Sequence, residues 1–114
     1  MKFLLIIIMS MFVLPVFADS PDNSKDAQPI IRIHPKYPIE LARFGVEGWC
    51  QLRFSVDEEG AVADTEIIEC SHKGFAETSL EALGKWTYSP KTVAGKPVKQ
   101  EGLSTQLDFK LNFK

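Results

Sequence analysis

Near its C-terminal end the chain repeats with a period of two: Leu107, Phe109, Leu111 and Phe113 alternate with Asp108, Lys110 and Asn112. Successive side chains of an extended strand point to opposite sides of a sheet, so this spacing buries one face and leaves the other in water. The rest of the chain must therefore supply a strand partner for residues 105–113 and an apolar layer over one side. The same period occurs once more, where Val46, Gly48, Cys50, Leu52, Phe54 and Val56 alternate with Glu47, Trp49, Gln51, Arg53 and Ser55. Asp57, Glu58, Glu59 and Gly60 then read as a turn, with Gly60 free to take positive φ. Residues 61–70 return as a second strand. Their alternation slips between Val62, Thr65 and Ile67, which predicts a bulge near Asp64. The two segments form a hairpin.

The covering layer comes from two helical segments. Residues 38–45 open on Pro38 and close on Gly45, which suit the first turn and the stop of a short helix. Residues 75–86 place Ala76, Leu80 and Leu83 on one face, flanked by Phe75, Ala82 and Trp86, with Glu77, Glu81 and Lys85 opposite. Pro90 forbids continuation. Residues 90–102, centred on Gly95, Lys96 and Pro97, read as a looped connection. The order helix, strand, strand, helix, strand predicts an α+β fold: a three-stranded antiparallel sheet with one face covered by two helices. A right-handed crossover that skips one position puts the first strand in the centre, order 2-1-3, and leaves the last strand at an edge.

With 114 residues the chain accommodates one domain. Residues 1–18 read as a signal peptide: Lys2, an apolar run from Phe3 to Leu14, Pro15, and small residues before a cut after Ala18. The run is shorter than the ~18 to 20 residues of a membrane-spanning helix, so the exported chain is not expected to span a membrane. Asp19, not a cysteine, directly follows Ala18, which argues against a lipoprotein. Residues 19–29 are polar and read as a flexible leader, and the domain is expected over residues 30–114. The net charge of −2 does not suit nucleic acid.

Export places Cys50 and Cys70 in an oxidising compartment, where an even count of cysteines implies a disulfide. A tight turn at Glu58-Glu59 sets Cys50 opposite Ile67, three residues out of register, and a bulge narrows that gap. Free thiols are the alternative.

Several residues together resemble a known family. Tyr37-Pro38, Ala42 and Gly45-x-x-Gly48 lead into the first strand. Phe54-x-Val56-Asp57-x-x-Gly60-x-Val62 makes the hairpin. Phe75, Leu80-x-Ala82-Leu83-x-x-Trp86-x-Tyr88-x-Pro90, Gly95-x-Pro97-Val98 and Phe109-x-Leu111 follow in order. This set resembles the TonB C-terminal domain family across residues 35–113. The resemblance implies a periplasmic domain that grips a short peptide of a TonB-dependent outer-membrane transporter by adding it as a strand beside the last strand. The matching edge is Gln106, Leu107, Asp108, Phe109, Lys110, Leu111, Asn112 and Phe113, and Tyr37 and Pro38 correspond to the region near that peptide. The chain departs from the family pattern in having no Pro-rich spacer. It also lacks the anchor-helix Ser and His pair: Leu14 stands one turn after Ser10, and the only histidines are His34 and His72. The expectation is a free periplasmic binding module. The alternatives are a homodimer or envelope-assembly part that pairs through its edge strand, or an anchored energy transducer if the N-terminus is uncleaved.

Other constellations are weaker. Cys50, Cys70 and His72 fall short of a zinc ligand set, so no metal is expected. Asp57, Glu58 and Glu59 are adjacent on a turn and do not face one another across a pocket, as acid–base catalysis requires. No nucleophile, phosphate-binding or metal motif is present, so neither an enzyme nor a cofactor is expected. Trp49 points away from Leu52 and Phe54 and is either a partner contact or packed under a loop. Trp86 and Tyr88 read as core. Lys85, Lys91, Lys96 and Lys99 form either a basic patch or a solvated face.

Overall fold

The structure, a computed structural model, describes residues 23–112. The expected signal peptide, the start of the leader, and Phe113 lie outside the described residues. The elements are β1 (Ser24–Lys25), β2 (Gln28–Ile31), α1 (Ile39–Arg43), β3 (Gly48–Val56), β4 (Val62–Cys70), a 3₁₀ turn (Lys73–Phe75), α2 (Ala76–Leu83), β5 (Thr87–Ser89), β6 (Lys91–Val93), β7 (Lys96–Val98) and β8 (Gln100–Phe109).

The sheet is built on β3, which carries the longest clean alternation. Cys50, Leu52, Phe54 and Val56 are all buried on one face. β3 pairs antiparallel with β4 on one side and β8 on the other, giving the order β4-β3-β8. Phe75, Ala82 and Leu83 from the helical layer close over that face with Trp86, Tyr88, Leu107 and Phe109. Short antiparallel sheets flank this unit, one of order β1-β6-β7 and one pairing β2 with β5.

The register of the hairpin explains the cysteines. Three single-residue displacements separate the observed pairing from a tight two-residue turn. Asp57 N–H donates to Ala61 O at 2.9 Å, so Glu58, Glu59 and Gly60 all sit in the loop. Asp57 Oδ1 braces that loop by accepting from Glu59 N–H and Ala61 N–H. The pairing then shifts between Arg53 and Ser55, where Asp64 bulges at φ 52°, and again between Gln51 and Leu52, where Ile68 is the extra residue. Together these carry Cys70 opposite Cys50 with Cα atoms 4.0 Å apart, and the two are joined by a disulfide.

The bulge is pinned by charge. Asp64 Oδ2 accepts from Ser55 Oγ at 2.8 Å and pairs with Lys99 Nζ at 2.8 Å, and Lys99 also lies 3.6 Å from Glu101. The hydrogen bond from Lys99, then that from Ser55, hold the Asp64 carboxyl below the usual carboxylate range. The same contact with Asp64 raises Lys99 above the usual range of an ammonium.

The structure corrects four expectations. α2 ends at Leu83 rather than at Trp86. Beyond it, Lys85 N–H and Trp86 N–H reach back three residues, to Ala82 O and Leu83 O, and this tightened turn swings Trp86 into the core. Residues 90–102 are not a loop: β6 and β7 form a hairpin on Ala94 (φ 54°) and Gly95 (φ 82°), the two left-handed positions of a type I′ turn. The described part of the leader is ordered, since β1 pairs with β6, β2 pairs with β5, and Ala27 N–H donates to Gln100 Oε1. These pairs use the backbone and need no apolar periodicity. Finally, the last strand runs over Gln100–Phe109: it starts before the expected Thr105 and does not include residues 110–112. Ser79, also fully buried in α2, has a hydroxyl without a hydrogen-bond partner among the described residues, and nothing in the structure explains it.

Two measurements test this account. A Cys50→Ala/Cys70→Ala variant is expected to lose about 3 kcal/mol of unfolding free energy against the oxidised protein, through the loop that the bridge closes. The shift of the urea midpoint reads it directly. Asp64→Asn should be less stable than wild type at neutral pH. The carboxyl is lowered in the folded state, so its contribution is present above the unfolded-state pKa, roughly 3.9, and is lost as pH falls through the folded value. The gap between the two proteins should therefore close on acidification, and a gap that persisted at low pH would contradict the assignment.

Candidate functional site

One side of β8 has no strand on it among the described residues. Which of its backbone groups face that open side follows from Trp49. Trp49 N–H donates to Ser71 Oγ and Trp49 O accepts from Ser71 N–H, both at 2.9 Å, so both groups point toward the β4 side. The cross-strand pair of Trp49 and Asp108 is then a non-hydrogen-bonded one, and Asp108 N–H and C=O point away from β3. The register is unbroken from Gly48↔Phe109 to Phe54↔Leu103, so Gln106 and Ser104 face outward in the same way.

A cleft of about 360 Å³ runs beside this edge, lined by Thr105, Gln106, Leu107 and Asp108 on one side and by Arg32, Ile33, His34, Pro35 and Trp86 on the other. The strap at residues 32–37 is held by side chains gripping its backbone and ring. Trp86 Nε1 donates to Ile33 O at 2.9 Å, and Thr78 Oγ1 to Lys36 O at 2.6 Å. The Arg32 guanidinium stands 5.1 Å over the Trp86 ring. Tyr37 donates from its hydroxyl to Val46 O at 2.6 Å and presents its ring edge-on to Phe75 and Phe109, at 5.7 Å and 5.6 Å. Partial burial, and then the Glu47 charge, raise its phenol above the ordinary value.

The sequence-predicted residues are brought together only in part. Gln106, Leu107, Asp108 and Phe109 lie in β8. Leu107 and Phe109 turn into the core, while Gln106 and Asp108 are exposed. Lys110, Leu111 and Asn112 lie beyond the strand. β3 begins at Gly48, opposite Phe109, so there is no further partner. Instead the Glu47 carboxylate accepts from Leu111 N–H at 2.6 Å. Pro38 caps the start of α1 and accepts from Ala42 N–H. Arg32, Ile33, His34, Pro35 and Trp86 were not anticipated at the site. Pro35 announces an extended segment at His34, but nothing in the sequence says which strand it faces.

The weaker constellations resolve separately. His72 accepts from Gly74 N–H at the start of the 3₁₀ turn, and both cysteine sulfurs are used in the disulfide. Lys99 is committed to Asp64 and Glu101. Trp49 is half-buried on the outer face of the sheet, beside Glu47, Gln106, Asp108 and Lys110 in a shallow depression. Among the described residues, no helix is long and apolar enough to cross a membrane.

The family model described as the Gram-negative bacterial TonB protein C-terminal matches residues 33–111. Protein TonB of Pseudomonas aeruginosa is 26% identical over 69% of this chain and 23% of its own length. Protein TonB of Salmonella typhimurium is 30% identical over 71% of this chain and 31% of its own length. The chain thus spans 23% and 31% of the length of these two curated relatives. Among solved structures, the solution structure of the Pseudomonas aeruginosa TonB C-terminal domain superposes with a TM-score of 0.67 at 25% identity, over 81% of this chain and 93% of that one. The TonB2 protein of Vibrio anguillarum superposes with a TM-score of 0.58 at 31% identity, over 92% of this chain and 99% of that one.

The strap's attachment is testable. Trp86→Phe keeps a ring in the core but removes the N–H that holds Ile33 O. It is expected to lower stability by about 1 kcal/mol and to speed amide exchange across residues 32–37. Unchanged exchange there would show that the strap is held by other contacts.

Proposed function

Because the chain belongs to the Gram-negative bacterial TonB protein C-terminal family, we propose that it is a protein-interaction module of the bacterial envelope that captures an extended peptide as an added strand along β8. The observation that carries this reading is the row of outward backbone groups at Ser104, Gln106 and Asp108, on an edge with no strand beside it among the described residues. Such a row is a template for main-chain hydrogen bonds to a peptide, and the pockets flanking it read alternate side chains. Here Ile33, Pro35 and Trp86 supply an apolar flank on one side. The partner that the family resemblance implies is the N-terminal segment of a TonB-dependent outer-membrane transporter. Export by the N-terminal signal would deliver the module to the periplasm, where that segment is reached.

An amide-shift titration with transporter N-terminal peptides tests the reading. Shifts should centre on residues 103–109 and 32–38. Gln106→Pro deletes an outward main-chain donor and spares the main-chain ladder to β3, losing only the side-chain bonds of Gln106 to Gln51 and Asp108, and is expected to leave the protein folded and weaken capture about tenfold. Leu107→Pro, which removes an inward donor, should damage the fold instead. Undiminished affinity in folded Gln106→Pro would sink strand addition. Sizing the free protein across concentrations separates capture from assembly, since a stable dimer with β8 buried would mean that the edge serves a second copy.

A further inference from the structure

We infer that Asp108 makes this edge selective for peptides that present a lysine or arginine on the outer side of the sheet, an inference that rests on the strand-addition reading above. An added strand would have two flanks. Its inward side chains would meet the cleft of Ile33, Pro35 and Trp86. Its outward side chains would meet Ser104, Gln106 and Asp108, all exposed, of which only Asp108 carries a charge.

Among the described residues that charge is left without a cation. The Asp108 carboxylate accepts from Gln106 Nε2 at 2.9 Å, but among the described residues no lysine, arginine or histidine forms an ion pair with it. On the opposite edge strand Glu66 is paired with Arg53 at 3.3 Å and Asp64 with Lys99 at 2.8 Å, while Glu69, like Asp108, is exposed and forms no ion pair among the described residues. Lys110 shares the shallow depression with Asp108 and pairs with neither Asp108 nor Glu47. Gln106 is itself tied to Gln51 Nε2 at 3.1 Å, which fixes the amide that steadies Asp108. Directly across on β3 stands Trp49, half-buried and lining the same depression as Asp108.

A strand laid on β8 places its nearest outward side chain roughly 4.5–5.5 Å from that of Asp108, Cβ to Cβ, a distance at which opposite charges attract and like charges repel. A basic residue there completes an ion pair on the open side, whereas an acidic one meets an uncompensated carboxylate. An exposed charge on an edge has a second conceivable role, deterring pairing with another copy of the chain. The two roles predict different outcomes.

The test uses the exported protein and three capped synthetic peptides of alternating valine and threonine, in which one central threonine is replaced by lysine, glutamine or glutamate. Titration calorimetry should rank lysine above glutamine above glutamate, with about a fivefold span at low salt that narrows as salt is added. Asp108→Asn should collapse the span and Asp108→Lys should reverse it. Equal binding of all three peptides to wild type, with Gln106→Pro weakening each, would overturn the selectivity and leave strand addition standing. Binding of none would remove both. Asp108→Asn that self-associates while the peptide ranking stays unchanged would assign the charge to guarding the edge and overturn the inference.

Discussion

The fold hangs on one aromatic contact, the stack of Phe75 on Phe109 with ring centroids 4.1 Å apart. Phe75 closes the 3₁₀ turn that leads into α2, and Phe109 is the last residue of β8. Tyr37, just before α1, sets its edge against both rings. Three remote parts of the chain therefore meet in one cluster. Each aromatic pair contributes roughly 0.5–1.5 kcal/mol beyond the area it buries. The cluster has a strict requirement below it. A Cβ at Gly48 would run into Ser71 Oγ and come within 2.9 Å of the Phe75 ring. Only a glycine at the first residue of β3 lets Phe75 lie down on the sheet beside Phe109.

The open edge inherits its limits from that cluster. Gly48 pairs with Phe109, so the ladder stops there, and Glu47 takes up the Leu111 amide just beyond. Tyr37 holds the far end of the strap, and Trp86 and Thr78 hold its middle. The wall of the cleft is thus attached at three points by side-chain donors to main-chain carbonyls, while Phe54 packs edge-on to Trp86 from beneath. Under the proposed strand addition, a wall fixed in this way would need little further ordering on binding, which would favour affinity.

The sequence made parts of this legible and hid others for identifiable reasons. The period of two from Val46 to Val56 announced β3, and the slip near Asp64 announced a bulge. The bulge at Ile68 left no trace, because Ile67-Ile68 is apolar at both positions and fits either register. The alternation of Leu111 and Phe113 pointed to a longer last strand. Alternation describes side chains, whereas a strand also needs a backbone partner, and β3 supplies none past Gly48. Trp86 fell on the apolar face of the expected helix and is indeed core, yet it reaches the core through a tightened turn after the helix has ended. The short strands β1, β2, β5, β6 and β7 carry too few residues to show a period. The strap was illegible because side chain-to-carbonyl bonds, unlike packing faces, impose no pattern on the sequence. Tyr37-Pro38, by contrast, was picked out by family resemblance.

The two edges of the main sheet are treated differently, and the contrast bears on which one would receive the proposed partner. Along β4 two bulges interrupt the ladder, one of them at a residue with positive φ, and the disulfide holds that irregular register in place. An added strand would find its donors and acceptors at uneven spacing there. This is a common protection for an edge that must stay single. Along β8 the one irregularity lies at Gly102, with φ 79°, upstream of the cleft. From Leu103 to Phe109 the spacing is regular, which suits pairing. Protection alone would call for a break in both edges. A regular edge opposite a bulged and cross-linked one makes β8 the edge on which the proposed strand would add, beside the cleft walled by Arg32–Pro35 and Trp86.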